Sequence, residues 1–214
     1  VYAGENYQLS VITDTYKKVE KPLSLTSSND IILEKKEAST VTFVSESMEI
    51  PFGSTPVCNA TSNHGATVKY SSSDTAIVTV DTMTGKITPV SLGTATIIAS
   101  TETDDFYLGS SAECTVTVTI GEQQPLVWEK SIPQTLTWKD EFTNTVTGGS
   151  GSGEITYASS DETVAKVDHN GILDILKPGD VTITATKAGD AMYHEVAYPR
   201  DVRRFPVEAD EIRF

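Results

Sequence analysis

The feature that most constrains the fold is an internal repeat, because the chain carries one strand-rich pattern twice. The first copy reads Y-S-S-S-D-T-A-I-V-T-V-D over Tyr70–Asp81, and a glycine-led segment follows over Gly85–Ala99. The second copy reads Y-A-S-S-D-E-T-V-A-K-V-D over Tyr157–Asp168, and the matching segment follows over Gly171–Ala185. A repeat of roughly 86 residues with short strand patterns predicts two copies of a small β domain.

Apolar and polar residues alternate with the period of a β-strand in both copies, and no helical stripe of useful length interrupts them. Ala95, Ile97 and Ala99 form an inward-facing trio, which the second copy repeats as Val181, Ile183 and Ala185. The same period predicts two further core-facing strands in the first copy. They run through Phe52, Pro56, Cys58 and Ala60, and through Val116, Val118 and Ile120.

The repeat predicts the domain organisation. Residues 41–121 form the first domain, residues 125–214 form the second, and a short polar linker joins them. Residues 1–40 lie outside the repeat and form an N-terminal β segment. This segment is either a hairpin packed on the first domain or the end of a preceding domain, and its small size favours the second alternative. The first residue is Val1, which predicts a mature or trimmed segment of a longer protein.

Charge excludes several classes of partner. The net charge is −14, with 30 acidic and 16 basic residues. Such a chain lacks the basic surface that nucleic acids and anionic lipid surfaces require. No apolar run approaches the ~20 residues needed to span a bilayer, and no signal peptide is visible. We therefore expect neither a nucleic-acid partner nor membrane insertion of this chain, whereas the sequence does not determine its oligomeric state.

The repeated motif resembles the bacterial Ig-like domains of group 2. The pattern Y-x-S-S-D-x-x-V-A-x-V-D, a glycine turn, G-x-x-T-I-x-A-T and then K-A-G-D-x-x-Y matches Tyr157–Tyr193 closely. Tyr70–Tyr107 matches it too, with a different turn before Tyr107. The resemblance covers about 165 residues, and the style of the copies is similar to that of surface and secreted proteins of gut Bacteroidetes.

This resemblance implies an all-β fold of two tandem immunoglobulin-like β-sandwich domains, as in invasin- and intimin-type adhesins and in spacers of extracellular enzymes. It implies no catalytic residues and no cofactor, because the shared positions are core and turn positions. One departure stands out. The second copy ends with Tyr198–Val207, which contains two prolines, so we expect its last strand to be bent or incomplete.

Two cysteines fall in the first domain. Cys114 shares the strand parity of Val116 and Val118, and Cys58 shares that of Pro56 and Ala60. A disulfide between them would close a loop of about 56 residues and contribute roughly 4 kcal/mol in the chain-entropy model. The alternative is a pair of buried free thiols. We favour the disulfide, which also fits an oxidising, exported location.

Residues for metal binding or catalysis do not form a recognisable pattern. His64, His169 and His194 lie far apart, and no spacing is typical of a zinc site. Asp104, Asp105 and Asp190 lie at equivalent turns where calcium is conceivable, but an aspartate in a turn usually caps its own backbone. No serine lies in a nucleophile elbow. We predict no metal and no enzymatic activity.

Candidate ligand-binding residues cluster in the second copy. Exposed tryptophans stack on sugar rings, which makes Trp128 and Trp138 candidates, although core packing explains Trp128 more simply. The arginines all fall in the last fifteen residues, and their side chains suit carboxylate partners. They are Arg200, Arg203, Arg204 and Arg213.

These features predict a non-catalytic, cell-surface or secreted interaction module. It is adhesin-like, its partner is a surface glycan or protein, and a lipid anchor would lie outside this chain. The alternatives are a structural spacer, or accessory domains of a larger extracellular carbohydrate-active protein.

Overall fold

A computed structural model describes residues 7–11, 14–23, 33–131 and 141–202 of the 214-residue chain. Every regular element in these ranges is a β-strand, as the period-two pattern predicts. The strands are β1 (Tyr7–Val11), β2 (Val19–Leu23), β3 (Glu37–Ala38), β4 (Val41–Phe43), β5 (Ser47–Pro51), β6 (Ala60–Ser62), β7 (Lys69–Ser72), β8 (Val78–Val80), β9 (Ile87–Pro89), β10 (Gly93–Ser100), β11 (Tyr107–Leu108), β12 (Ser111–Thr119), β13 (Leu126–Trp128), β14 (Glu141–Thr143), β15 (Val146–Gly148), β16 (Ile155–Ser159), β17 (Ala165–Val167), β18 (Ile172–Ile175), β19 (Val181–Lys187) and β20 (Val196–Val202).

The chain divides into two compact units. The first unit comprises Val1–Ile50 and Ser54–Val118, and the second comprises Pro51–Gly53 and Thr119–Phe214. The predicted all-β, immunoglobulin-like architecture is confirmed. The boundaries that the repeat suggests for its segments stay predictions. Among the described residues, no helix is long and apolar enough to cross a membrane.

The first unit is built on a four-stranded sheet in the order β5-β12-β10-β7. The pairs β4–β6 and β8–β9 supply the other apolar faces, and β1–β2 forms a separate hairpin. The buried side chains come from both sets of strands, which is the layered packing of a β-sandwich. They are Val41, Phe43, Ile50, Tyr70, Val78, Ile87, Ala95, Ile97, Ala99, Val116 and Val118, together with both cysteines.

The second unit repeats this plan. Its sheets have the orders β16-β19-β20 and β14-β18-β17, with β13–β15 as a further pair. One core cluster contains Val164, Ala165, Leu173, Ile175, Val181, Ile183 and Val202. A second cluster contains Leu126, Val146 and Ala185. The inward-facing trios that the sequence predicts on β10 and β19 are buried in both units.

Strand register matches the two units position by position. Ile97 pairs with Cys114 across β10 and β12, and the equivalent Ile183 pairs with Arg200 across β19 and β20. Arg200 of the second copy is therefore the counterpart of Cys114 in the first copy.

The opposite layer matches in the same way. Phe43 pairs with Ala60 as Trp128 pairs with Val146. Two residues before these partners, the Cys58 amide donates to the Gly85 carbonyl at 2.8 Å, as the Asn144 amide donates to Gly171 at 2.9 Å. Asn144 is therefore the counterpart of Cys58, and Trp128 that of Phe43.

Two sequence expectations need correction. The segment from Phe52 to Ala60 is not a continuous strand, because only Val57 forms a bridge, with Lys86, before β6 begins. Ile120 is 39% exposed because β12 ends at Thr119. The expectation of a bent or incomplete last strand over Tyr198–Val207 lies partly outside the described residues, which end at Val202. β20 pairs with β19 at seven positions, including Pro199, and lies at the edge of the described sheet, where proline is tolerated.

Candidate functional site

The repeated Y-x-S-S-D motif forms turns and strand connections. In the first unit, Ser73 Oγ accepts the Thr96 amide at 2.9 Å, and Asp74 Oδ1 accepts the Ala76 amide at 2.9 Å. In the second unit, the equivalent Ser160 and Asp161 accept the amides of Thr182 and Thr163 at 2.9 and 2.8 Å. These polar side chains satisfy backbone donors, so the motif itself is structural.

The motif tyrosines have a similar role. The Tyr70 hydroxyl accepts the Ala60 amide at 3.0 Å, and the Tyr157 hydroxyl accepts the Val146 amide at 3.1 Å. Each tyrosine thus inserts its ring into a core and uses its hydroxyl to hold the first residue of a neighbouring strand.

The turn aspartates at the end of each copy also cap backbone. Asp104 Oδ1 accepts the Phe106 and Tyr107 amides at 2.8 and 2.7 Å. Asp190 accepts the equivalent Met192 and Tyr193 amides with Oδ1, at 2.8 and 2.9 Å. The Ser152 amide and hydroxyl donate to its Oδ2 at 2.7 and 3.2 Å.

These hydrogen bonds set the charge state of Asp190. The backbone donor of Ser152, followed by that of Met192, lowers the pKa of Asp190 to about 2. Its Oδ1 accepts donors of its own turn and its Oδ2 accepts the donors of Ser152, which supports the capping role rather than a calcium site. In the described part of the chain, no group of three or more His, Cys, Asp or Glu residues could hold a metal ion.

The two cysteines meet in the core of the first unit. Cys58 is 2% exposed and Cys114 is fully buried, and both carry free thiols. Burial, with a hydrogen bond to Cys114 as the second cause, raises the pKa of the Cys58 thiol to about 12. A buried thiol with a raised pKa is a poor nucleophile, so this pair does not form a catalytic site.

The strongest candidate for a binding site is a shallow depression on the second unit, which we call the β13–β20 surface. It has a volume of about 290 Å³ and is lined by Val127, Trp128, Tyr198, Pro199 and Arg200. Val127 is 58% exposed and Tyr198 is 46% exposed. Adjacent strands therefore present apolar and aromatic side chains to solvent beside a cation.

Trp128 joins this surface to the core. Its indole packs against both core clusters of the second unit and lies 5.9 Å from the Tyr157 ring. The core-packing interpretation therefore accounts for most of the ring, and only part of it faces the depression. The indole Nε1 is buried and has no hydrogen-bond partner among the described residues.

Arg200 is held in place beside this indole. Its guanidinium carbon lies 5.8 Å from the centroid of the Trp128 ring, a cation–π distance. One guanidinium nitrogen donates to the Lys130 carbonyl at 2.7 Å. Because a guanidinium carries five N–H donors, others stay available to a ligand's hydroxyl or carboxylate oxygens. The β13–β20 surface has the chemistry of binding, with no activated nucleophile or base.

The first unit lacks this surface at the equivalent positions. The counterpart of Val127 is Thr42, and the counterpart of Tyr198 is Ala112. The counterpart of Arg200 is Cys114. The counterpart of Trp128 is Phe43, which is buried. The aromatic and cationic character is therefore specific to the second copy and is not a requirement of the fold.

Sequence reasoning identified part of this surface. Trp128 and Arg200 were both candidates, and the structure brings them together. Trp138, Arg203, Arg204 and Arg213 lie outside the described residues. Val127 and Tyr198, which also line the depression, were not among the candidates. Comparing the two copies would have found them, because the counterparts of both are small in the first copy.

Comparisons with known proteins agree with the fold. The family model described as bacterial Ig-like domain (group 2) matches residues 53–106 and 113–192, which is more than half of the chain. An uncharacterised protein of Clostridium acetobutylicum is 35% identical over 126 residues. That match covers 58% of this chain and 12% of the relative, so the chain spans only a small part of the relative's length.

Solved structures give more distant likenesses. Human protocadherin-24 EC1-2 has a TM-score of 0.33 and 16% identity, over 77% of this chain and 93% of that one. The S-layer protein rSbsC(31-844) has a TM-score of 0.32 and 14% identity, over 84% of this chain and 31% of that one.

Proposed function

The chain belongs to the bacterial Ig-like domains of group 2, and from this premise we propose that it is a non-catalytic interaction module that binds a surface ligand through its second unit. Membership of this family supports the proposal, because the resemblance implies adhesion-type modules or spacers of extracellular proteins. We further propose that the protein is exported and acts at the cell surface or in the medium, with any lipid anchor supplied by another segment.

One observation carries the proposal. The β13–β20 surface combines exposed Val127 and Tyr198 with the cation of Arg200, whereas the same positions of the first unit hold Thr42, Ala112 and a buried cysteine. A domain that served only as a spacer would have no need of an exposed apolar and aromatic pair beside a cation at positions that hold small or buried residues in the other copy.

The chemistry of the surface suggests the class of ligand. An apolar ring face stacks on an aromatic side chain, and an arginine donates to hydroxyl or carboxylate oxygens. A glycan offers both features, and so does a protein loop with an aromatic and an acidic residue. The net charge of −14 makes nucleic acid an unfavourable partner.

The test is a binding screen of the full chain against immobilised mucin, plant and host glycans and extracellular-matrix proteins, with calcium or with a chelator. We expect saturable binding that Tyr198→Ala weakens at least about tenfold, as removal of an aromatic anchor typically does. Phe106→Ala is the matched control, because it removes an exposed aromatic ring from the first unit.

Two outcomes would overturn the proposal. Saturable binding that Tyr198→Ala leaves unchanged would place the ligand on another surface. No saturable binding across the panel would favour the spacer function. The small share of the Clostridium relative that this chain covers keeps a third alternative open, accessory domains of a larger extracellular carbohydrate-active protein.

A further inference from the structure

We infer that Cys58 and Cys114, which the structure holds as free thiols, form a structural disulfide in an oxidising environment. This bond fastens the last strand of the first unit to the opposite layer, independently of any ligand that the second unit binds. Cys58 lies in the irregular segment before β6, and Cys114 lies in the middle of β12. Both side chains are buried, and Cys114 is close enough to Cys58 to raise the pKa of its thiol. Approach of this kind between distant chain segments is what a disulfide requires.

The second unit supports this inference, because it fastens the same two positions by polar contacts. The counterparts of the cysteines are Asn144 and Arg200. The Asn144 amide nitrogen donates to the Lys130 carbonyl at 3.0 Å, and Arg200 donates to that same carbonyl at 2.7 Å. The Lys130 amide in turn donates to Asn144 Oδ1 at 3.0 Å.

The two units therefore connect the same two chain segments by different side chains. In the second unit a polar bridge through Lys130 connects the segment before β15 to β20. In the first unit the equivalent positions hold two buried cysteines. A covalent bond between the sulfurs would supply the connection there.

The chemistry of formation is a two-electron oxidation. The two thiols lose two protons and two electrons as the sulfur–sulfur bond forms. A protein disulfide catalyst or an oxidised low-molecular-weight thiol accepts the electrons and is reduced to two thiols. Since the Cys58 thiol is buried and its pKa is raised to about 12, little thiolate is present once the unit has folded. The bond therefore forms during folding, before the core excludes the oxidant.

The first experiment refolds the full chain from denaturant with oxidised glutathione or with dithiothreitol, and then alkylates it in denaturant. We expect the oxidised sample to resist alkylation at both cysteines, to weigh about two hydrogen masses less than the reduced protein, and to give a peptide pair that contains Cys58 and Cys114. Its first unit should melt at least about 10 °C higher than in the reduced sample. The double variant Cys58→Ala/Cys114→Ala should melt equally in both conditions.

Two free thiols after oxidative refolding would overturn the inference, and so would a separate glutathione adduct on each cysteine. Purified protein that has never been unfolded is alkylated in the same way, so the result does not depend on refolding yield. Oxidant added to the folded, reduced protein should form the bond at least about tenfold more slowly than oxidant present during refolding. Equal rates would overturn the proposed order of folding and oxidation.

A second variant tests the structural equivalence. Asn144→Cys/Arg200→Cys in the background of Cys58→Ala/Cys114→Ala places a thiol pair at the matched positions of the second unit. We expect oxidative refolding to join them, with the same loss of two hydrogen masses. A soluble, folded variant that keeps both thiols free would contradict the equivalence.

Discussion

Gln123 is the residue that best illustrates how a single side chain holds the second unit together. It is buried, and its amide nitrogen donates to the carbonyls of Ala188 and His194 at 2.9 and 2.8 Å and to that of Lys187 at 3.3 Å. Its Oε1 accepts the Ser150 amide at 3.1 Å. One side chain thus satisfies backbone groups from three segments, in a place where unpaired groups would be costly.

We expect Gln123→Ala to lower the free energy of unfolding of the second unit by about 1–3 kcal/mol, because it removes the hydrogen-bond partner of several part-buried backbone groups. Urea unfolding followed by tryptophan fluorescence measures the change. Gln124→Ala is the control, since the side chain of Gln124 is exposed, and it should cost less than about 0.5 kcal/mol. Equal effects of the two variants would contradict this role for Gln123.

The charge of Asp190 also contributes to the stability of the second unit. Its depressed pKa means that its contribution to stability is complete above the unfolded-state pKa, about 3.9, and is lost as the pH falls through about 2. The Asp190→Asn variant has no carboxylate to lose.

We therefore expect Asp190→Asn to destabilise the second unit at pH 7, and the difference from the natural protein to shrink as the pH falls from about 4 towards about 2. Thermal unfolding at a series of pH values measures it. Glu162→Gln, which changes an exposed carboxylate of the same unit, serves as the control. A difference that stays constant with pH would show that Asp190 acts through shape rather than charge.

Among the elements, the hairpin between β8 and β9 depends on one residue, Gly85, both for the conformation of its turn and for its packing against the core. Gly85 has a φ of 68°. A Cβ atom at this position would lie 2.6 Å from the Cys58 carbonyl oxygen and 3.1 Å from the Tyr70 ring. Glycine is therefore required both by the left-handed backbone and by close contact with the core.

We expect Gly85→Ala to destabilise the first unit by more than about 2 kcal/mol, because strain and a backbone clash combine. Gly65→Ala separates the two causes. Gly65 has a φ of 72° but nothing within 4 Å of a built Cβ, so it should cost only about 1 kcal/mol. Circular dichroism during urea unfolding measures both variants. Equal losses would mean that the contact with Cys58 does not matter.

In the whole molecule, two units with separate cores predict two unfolding events. The sequence provides a convenient probe, since both tryptophans, Trp128 and Trp138, belong to the second copy. Tryptophan fluorescence therefore reports on the second unit, whereas far-ultraviolet dichroism reports on the strands of both.

We expect Ile97→Val, in the core of the first unit, to shift the dichroism transition by about 0.5–1.5 kcal/mol and to leave the fluorescence transition unchanged. Ile183→Val, at the equivalent position of the second unit, should shift the fluorescence transition by a similar amount. If Ile97→Val moved fluorescence equally, the two units would unfold as one cooperative body.

The sequence by itself determined the features that depend on local pattern and repetition. Alternating side chains must face opposite sides of a strand, so the buried trio around Ile97 and its counterpart around Ile183 could be predicted. The capping role of Asp190 followed from turn chemistry. The repeated motif also resembled the correct family.

Tertiary structure decided what depends on which strands become neighbours. Parity indicated that Cys58 and Cys114 face inward, but only strand register makes them the counterparts of Asn144 and Arg200. Trp128 lies beside Arg200, and Tyr198 beside Val127, because β13 packs near β20, about 70 residues away in the chain. The tertiary structure also decided where strands end, since β12 ends at Thr119 and leaves Ile120 exposed. Contacts between residues so far apart are set by the competition of whole sheets for a common core, and a local pattern does not encode that competition.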